Sequence, residues 1–196
     1  MSQKNNLSVI LILGPPGSGK GTQASLLAKE LDYYHLETSK ILEREINKAK
    51  EGETIEIEGE DYSYAKEKKL WKEGKLMSPP FVAHLLKEEI KKLYKQKFSL
   101  IFSGSPRTLF EAKRIYPLLS DLFGEEDLDV IQLKLSAKES IFRNSHRRIC
   151  KLMRHSILYN DETKNLTKCP LDGSELLERK GLDDPETIKV RVKEFK

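Results

Sequence analysis

Cysteine and long apolar runs are both scarce in this 196-residue chain. The two cysteines, Cys150 and Cys169, are too few for a disulfide framework, but they could help to hold a metal or remain as free thiols. The apolar run that follows the polar residues 1–6 is far too short for a membrane span or for the core of a secretory signal. We therefore expect a cytoplasmic protein that does not bind membranes.

An excess of charge of one sign is also missing. Charged residues make up 34% of the chain, yet the formal net charge is only +4 and is spread along the whole sequence. There is no basic tract interleaved with aromatic residues, so we expect no nucleic-acid partner. A small anionic ligand suits this charge balance. With 38% hydrophobic residues, the chain is long enough for one substantial core and an inserted lobe.

What the chain does contain is a phosphate-binding pattern near its beginning. Residues 7–13 form an aliphatic run that predicts a strand buried on both faces, and a glycine-rich turn follows directly. The turn glycines are Gly14, Gly17 and Gly19. They let successive backbone N–H groups converge, and Lys20 adds a positive charge, which together predict a phosphate cradle. Gly21 follows the lysine, so the hydroxyl of the generic motif arrives one place later, as Thr22.

The rest of the chain alternates strand and helix patterns, which predicts an α/β fold with a parallel sheet. Further strands are predicted at residues 34–38, 98–102 and 129–135, and helices at residues 23–31, 39–49, 65–71, 81–94, 109–123, 138–149 and 186–196. Residues 50–64 are acidic and predict a solvated excursion, whereas residues 150–178 resemble a small inserted hairpin module. Arg107 follows a predicted strand, at the edge of the sheet where ligands collect.

Several blocks of the sequence, taken in order, resemble the adenylate kinase family. They are GPPGSGKGTQ at 14–23, EGKLMSP at 73–79, GSPRT at 104–108, RNSHRR at 143–148 and DDPETIKVR at 183–191. The resemblance implies a parallel β-sheet core of the P-loop NTPase kind, flanked by helices, with an inserted helical region that binds the monophosphate and a small lid hairpin. The implied core comprises residues 1–36, 97–147 and 182–196, the insertion residues 37–96 and the lid residues 148–181.

The same resemblance implies reversible phosphoryl transfer from ATP, with Mg²⁺, to AMP, giving two ADP; we expect a monomer. The implied catalytic residues are Lys20, Arg107, Arg147, Arg179 and Arg191. ATP would be bound by Gly17, Ser18, Gly19, Lys20, Gly21, Thr22, Arg143 and Arg147. AMP would be bound by Thr38, Arg44, Lys75, Leu76, Met77, Gly104, Ser105, Pro106, Arg107, Glu111, Arg179 and Arg191. Cationic side chains suit this chemistry because the transferred phosphoryl group spreads negative charge over its oxygens.

Departures from the family pattern concern the acceptor and the metal. Lys40 stands where an Asp is usual, and the expected Arg position holds Glu43, with Arg44 next to it. Ser103 replaces an Asp that in the family helps to hold magnesium through water. Glu111 replaces a Gln that reads adenine, and because a carboxylate only accepts hydrogen bonds, it suits guanine better. AMP is the predicted acceptor, and GMP is the alternative.

A second alternative is a homologue that binds nucleotides but has weakened catalysis. Ser103 and the displaced arginine favour it, whereas the retained Lys20 and the distal arginines oppose it. Family members also continue past the segment that matches Arg191 to another strand and helix. If the chain is truncated before these elements, we expect the sheet to lack an edge and the binding of the phosphate donor to be weaker.

The lid segment raises the question of a structural zinc ion. Some family members hold zinc with a first C-x-x-C and a later C-x-x-C or C-x-x-D; here the second half is preserved, but Met153 takes the place of a cysteine. A thioether is a poor zinc ligand, so a histidine would have to complete the tetrahedron. The predicted ligands are Cys150, Cys169, Asp172 and His155, with His146 as another candidate and a metal-free lid as the alternative.

Overall fold

The computed structural model describes residues 7–73, 75–178 and 183–195. The strands are β1 (Val9–Leu13), β2 (Tyr34–Glu37), β3 (Thr54–Ile57), β4 (Glu60–Ser63), β5 (Leu100–Ser103), β6 (Leu128–Gln132), β7 (Arg148–Cys150), β8 (Ser156–Ile157) and β9 (Leu176–Glu178). The α-helices are α1 (Lys20–Leu31), α2 (Thr38–Lys48), α3 (Tyr64–Lys72), α4 (Pro79–Lys95), α5 (Leu109–Phe123), α6 (Ala137–Ser145) and α7 (Pro185–Phe195).

The predicted parallel sheet is confirmed, with the strand order β2-β5-β1-β6 and parallel pairing throughout. Side chains alternate between its two faces. On one face Leu11 and Phe102 join a large core with apolar residues of α2, α4 and α5. On the other, Ile12 packs against Ala24 and Ala28 of α1. Because helices cover both faces of the two central strands, β1 and β5 are mostly apolar, as buried parallel strands usually are.

Residues 50–64 are not the solvated excursion that their acidic composition predicts. They contain the antiparallel hairpin β3–β4, whose turn at Glu58 and Gly59 has positive φ angles of 55° and 85°. Ile57 is buried, and Ile55 and Tyr62 pack against the main core. The prediction was wrong because alternation along β3 places both isoleucines on one face, so few apolar residues suffice to anchor the hairpin.

The helix predicted over residues 138–149 is also shorter than expected. It ends at Ser145, and β7 begins at Arg148 because this segment pairs with β8 and β9 in a three-stranded sheet. Arg147 therefore lies beyond the helix and does not share a helical face with Arg143.

The chain divides into two compact units. The first comprises the described residues up to Leu13 together with Gly19–Leu133 and contains the parallel sheet. The second comprises Gly14–Ser18 together with the described residues from Lys134 onward, and it contains α6, α7 and the three-stranded sheet. In the parts of the chain that the structure describes, no helix combines the length and the apolar character that a bilayer crossing requires.

Candidate functional site

The glycine-rich loop after β1 is held by side chains of α6. Gly17 has a φ of +75°, and a Cβ placed on it would lie 2.5 Å from Nδ2 of Asn144, so only glycine fits there. The same amide donates to the carbonyl of Ser140 at 2.7 Å, and the Ser140 hydroxyl donates to the carbonyl of Pro16 at 2.6 Å. Within the second unit, Ser140 thus bonds to the loop backbone, and Asn144 lies against it at Gly17.

The residues after the loop begin α1 without a side-chain cap. Gly19, with a φ of 86°, is the residue before the helix and makes no side-chain hydrogen bond to it. The first N–H groups of a helix have no partner within the helix, and they carry the positive end of its dipole. With Lys20 as its first residue, this helix start matches the geometry that binds phosphate.

The loop after β5 brings three of the predicted acceptor residues together. A Cβ placed on Gly104 would lie 3.5 Å from Nη2 of Arg107 and 3.8 Å from Oγ1 of Thr38. Nε of Arg107 donates to the Gly104 carbonyl at 2.6 Å, which orients the side chain. Desolvation lowers the pKa of Arg107, and the Glu111 carboxylate opposes this shift.

Glu111 supports this loop from within α5. Its carboxylate is buried, and Oε2 accepts from the backbone N–H of Arg107 at 2.9 Å. Its own N–H donates to Oγ1 of Thr108, the residue that caps the helix, at 3.1 Å. One carboxylate oxygen is therefore engaged in positioning Arg107, which leaves only the other for a nucleobase.

Buried polar atoms without a partner occur next to these segments. Among the described residues, four buried side-chain polar atoms lack a hydrogen bond: Oγ of Ser18, Oγ1 of Thr38, Oγ of Ser105 and Oδ1 of Asn144. The three hydroxyl groups belong to residues predicted to bind nucleotide, and Asn144 adjoins the phosphate loop. An unpaired buried polar group costs about 1–3 kcal/mol, so a polar ligand that provides partners would recover this energy.

Two other cations predicted at the acceptor are paired with carboxylates. Arg44 donates through Nε to Glu45 at 2.7 Å and through Nη2 to Glu89 at 2.6 Å, and these bonds, the one to Glu89 foremost, raise its pKa. Lys75 donates to Glu73 at 2.8 Å. The roles of both residues at an acceptor phosphate stay predictions.

A buried carboxylate that the sequence did not single out positions the segment around Met77. Glu67, in α3, accepts from the backbone N–H of Ser78 at 2.9 Å and from its hydroxyl at 2.6 Å. Ser78 is the residue before α4, so Glu67 ties the beginning of that helix to α3. Met77 is buried in the main core, whereas Leu76 is exposed.

In the second unit, the predicted phosphate-binding arginines are held by acidic side chains. Arg147 forms a two-point ion pair with the buried Asp183, Nε to Oδ2 at 3.0 Å and Nη2 to Oδ1 at 2.5 Å. Arg143 donates to Glu139, one helical turn earlier, at 2.7 Å. The two-point pair fixes the guanidinium plane of Arg147, which is how such groups are prepared for phosphate oxygens.

The five predicted catalytic residues are distributed over the two units. Lys20 and Arg107 belong to the first unit, and Arg147 and Arg191 belong to the second. Arg191 lies on α7 and is partly buried. Arg179 lies outside the described residues.

The four predicted metal ligands come together in the second unit. Donor atoms of Cys150, His155, Cys169 and Asp172 all lie within 4.8 Å of one another. Nδ1 of His155 is 3.6 Å from both cysteine sulfurs and 3.3 Å from Oδ2 of Asp172. Two sulfurs, one nitrogen and one carboxylate oxygen are donors that suit zinc, and the three distances from His155 agree with the roughly 3.3–3.8 Å expected between ligands of tetrahedral zinc.

Neighbouring groups support this cluster. The backbone N–H of His155 donates to the Cys150 sulfur at 3.1 Å, and that of Met153 donates to Asp172 at 3.3 Å. The hydrogen bond from Cys150 holds the pKa of the Asp172 carboxyl well below its usual range, and burial raises the pKa of the Cys169 thiol. The two backbone N–H groups orient the donors, as second-shell partners do at metal sites.

The alternative ligand, His146, is engaged elsewhere. Its ring lies 4.4 Å from the ring of Phe142 and 4.7 Å from that of Tyr159, centroid to centroid, and its Nδ1 is 2.9 Å from the Phe142 carbonyl. Of the two histidines that the sequence offered, His155 is the one that joins the cysteines.

The sequence did not predict the hydrogen bonds that link His35 to Ser103, at the end of β5, and to Ser25. Nε2 of His35 lies 2.7 Å from Oγ of Ser103, and Nδ1 lies 3.2 Å from Oγ of Ser25. Burial lowers the pKa of His35, while the Glu37 carboxylate opposes the shift. The only signal in the sequence was the position of a histidine within a short strand, which did not reveal its partners.

Comparison with known proteins agrees with this geometry. A family model described as "Adenylate kinase" matches residues 12–196. The chain is 32% identical to an adenylate kinase of Petrotoga mobilis, over 95% of this chain and 80% of that protein. It is 31% identical to one of Chlamydia trachomatis, over 95% and 74%, and 29% identical to one of Hydrogenobaculum, over 96% and 82%. The chain belongs to the adenylate kinase family.

Proposed function

We propose that this chain catalyses reversible phosphoryl transfer from MgATP to AMP, giving two ADP. The observation that carries the proposal is the set of buried hydroxyl groups without partners at Ser18, Thr38 and Ser105, in segments where the family binds nucleotides. The uncapped start of α1 and the oriented Arg107 add the donor and acceptor phosphate contacts that the reaction needs. Family membership supports the same activity.

The proposed mechanism relies on positioning and on cationic stabilisation. Lys20 and the first N–H groups of α1 bind the donor phosphates, Arg107 binds the acceptor phosphate, and Arg147 and Arg191 provide further positive charge. The hydroxyl of Thr22 and the carboxylate of Glu37 are oxygen donors, the kind that Mg²⁺ prefers, so these residues fit the ion. When bound, Mg²⁺ neutralises charge on the transferred phosphate.

The acceptor base can be tested by comparing AMP, GMP, CMP and UMP in a coupled assay with ATP. We expect AMP to be turned over roughly tenfold or more faster than the others, because a site that pairs with one base edge rejects bases that leave its groups unpaired. Glu111→Gln should keep the hydrogen bond to the Arg107 N–H and increase the preference for AMP, since an amide both donates and accepts.

Two outcomes would contradict this assignment in different ways. Turnover of GMP far above that of AMP would keep the phosphoryl transfer but change the acceptor to guanylate. Tight binding of a bisubstrate dinucleotide, together with undetectable formation of ADP, would favour the homologue with weakened catalysis.

The proposal includes the three-part organisation implied by the sequence. Helices α2–α4 and the hairpin β3–β4 make up the insertion at residues 37–96, and β7–β9 make up the lid at residues 148–181. The core comprises residues 1–36, 97–147 and 182–196. We further propose a monomer that works in the cytoplasm on freely diffusing nucleotides.

We also propose that the lid binds one structural zinc ion through Cys150, His155, Cys169 and Asp172, because these four zinc-compatible donors already lie within 4.8 Å of one another. Protein purified without chelators should contain about one equivalent of zinc per chain by elemental analysis, since such sites hold the metal tightly. Less than about a tenth of an equivalent, after expression in zinc-supplemented medium, would contradict the proposal and favour the metal-free lid.

A further inference from the structure

Glu37 and Ser103 lie side by side at the carboxyl edge of the parallel sheet. Glu37 is the last residue of β2, Ser103 is the last residue of β5, and the two are partners in the strand register. Ser103 is also the partner of Ile12 in β1. Partnered residues in adjacent parallel strands point to the same face, about 4.8 Å apart in the backbone. Because Ile12 packs against Ala24, this is the face that α1 covers.

The same edge of the sheet receives the beginning of α1. The helix runs back along β1 from the phosphate loop, so Lys20 and Thr22 in its first turn lie at the carboxyl edge. The four strands of the sheet end in Leu13, Glu37, Ser103 and Gln132. Among these four residues, Glu37 provides the carboxylate.

Neither position where the family resemblance places an Asp can provide negative charge here. Ser103 is neutral, and its hydroxyl is hydrogen bonded to Nε2 of His35 at 2.7 Å. Lys40 carries a positive charge, which would repel a divalent cation. Mg²⁺ keeps several of its waters when it binds to nucleotide sites, and those waters donate hydrogen bonds to carboxylates. An edge that binds MgATP therefore needs its carboxylate from another position.

The surroundings of Glu37 suit that task. Its Oε1 contacts the ammonium of Lys40 and lies 3.8 Å from Nδ1 of His35. The Glu37 side chain is 29% exposed, whereas the Lys40 side chain is 74% exposed. The carboxylate is thus held against the protein, while the ammonium extends into solvent. Ion pairs with an exposed partner contribute little to stability, so Lys40 can withdraw at little cost.

We propose that Glu37 is a positioning residue that accepts hydrogen bonds from the water shell of the nucleotide-bound magnesium ion, the task that the resemblance assigns to position 103. In this chain the carboxylate lies on the neighbouring strand, on the same face of the sheet as Ser103 and in register with it. This inference rests on the proposed function, because it concerns the metal of the ATP complex.

The test uses Mn²⁺ in place of Mg²⁺, because its paramagnetic resonance reports binding directly. The full chain is saturated with a dinucleoside pentaphosphate, which mimics both substrates, and the Mn²⁺ affinity of the complex is measured. Glu37→Gln should lower this affinity by about tenfold, as the loss of second-shell partners of a metal does. Glu43→Gln is the matched control, since Glu43 is an exposed residue of α2 near Glu37 in sequence, and its Mn²⁺ affinity should match wild type.

Two further variants separate metal positioning from a merely structural ion pair. Lys40→Ala removes the pair but keeps the carboxylate, so the Mn²⁺ affinity should be equal to wild type or higher. Adding Ser103→Asp to Glu37→Gln should restore the affinity, because it returns a carboxylate to the edge. The inference is overturned if Glu37→Gln leaves the affinity unchanged, if Lys40→Ala lowers it equally, or if Ser103→Asp restores nothing.

Calorimetric titration with the dinucleotide in the absence of metal distinguishes this inference from the proposed function. Wild type and Glu37→Gln should bind it equally well, since Glu37 acts through the metal. If wild type does not bind the dinucleotide, the proposed function and this inference are both wrong. If binding is intact but Mn²⁺ affinity does not depend on Glu37, only this inference is wrong.

Discussion

Arg107→Lys is expected to lower kcat/KM for AMP by about 10²–10³-fold, the usual loss when one preorganised electrostatic stabiliser is removed. The structure explains why lysine cannot replace this arginine. Nε of Arg107 donates to the Gly104 carbonyl, and no described residue accepts from its two terminal amino groups. One planar group can therefore hold the loop and bind phosphate at once. A lysine carries its donors on one nitrogen, so it lacks the spaced, planar donors that can bond the Gly104 carbonyl and make a two-point contact with phosphate together.

Initial rates at saturating ATP and varied AMP would measure this effect. Arg114→Lys is a matched control, because Arg114 is another arginine with an oriented side chain: from α5 it makes a two-point pair, at 3.0 and 2.6 Å, with Glu58 in the turn of the hairpin β3–β4. The control should retain near wild-type kcat/KM. If Arg107→Lys retains more than about a third of wild-type kcat/KM, the transition-state role of Arg107 is wrong.

The parts of the fold that follow from local pattern could be predicted from the sequence. The bounds of α5 agree with the prediction, because its apolar positions recur at helical spacing and Thr108 provides the cap. The phosphate loop could be predicted because glycine spacing reflects backbone geometry. Gly17 illustrates this point, since its positive φ and the nearby Asn144 amide exclude any side chain.

The parts that depend on long-range register could not be predicted. His35 and Ser103 are 68 residues apart and meet only because β2 pairs with β5. The hairpin at residues 54–63 was not predicted, because the acidic composition of this segment indicated a solvated loop and only two isoleucines alternate along β3. The proposed zinc ligands could be predicted only in part. The sequence pattern indicated Cys150, Cys169 and Asp172, but the choice of His155 over His146 depends on where each ring lies in the fold.

The second large effect concerns the four proposed zinc ligands, two of which, Cys150 and Cys169, belong to a very small core. The described buried apolar cluster of this sheet consists of Cys150, Ile157 and Cys169, with Leu176 packed against it. So few apolar side chains cannot hold three short strands together, and modules of this size usually depend on a metal or on disulfides. Both cysteines are free. Metal ligation should therefore supply most of the stability of this sheet.

We expect Cys169→Ala, or removal of metal with a strong chelator, to unfold β7–β9 while the parallel sheet persists. Amide hydrogen exchange should then show complete loss of protection at Ile149 and Leu177, which pair across β7 and β9, with protection retained at Ile101 in β5. Met153→Ala is the control, because its exposed thioether lies outside the donor set, and it should change neither zinc content nor protection. Unchanged protection of β7–β9 in Cys169→Ala would show that packing and hydrogen bonds suffice, and the structural role of zinc would be wrong.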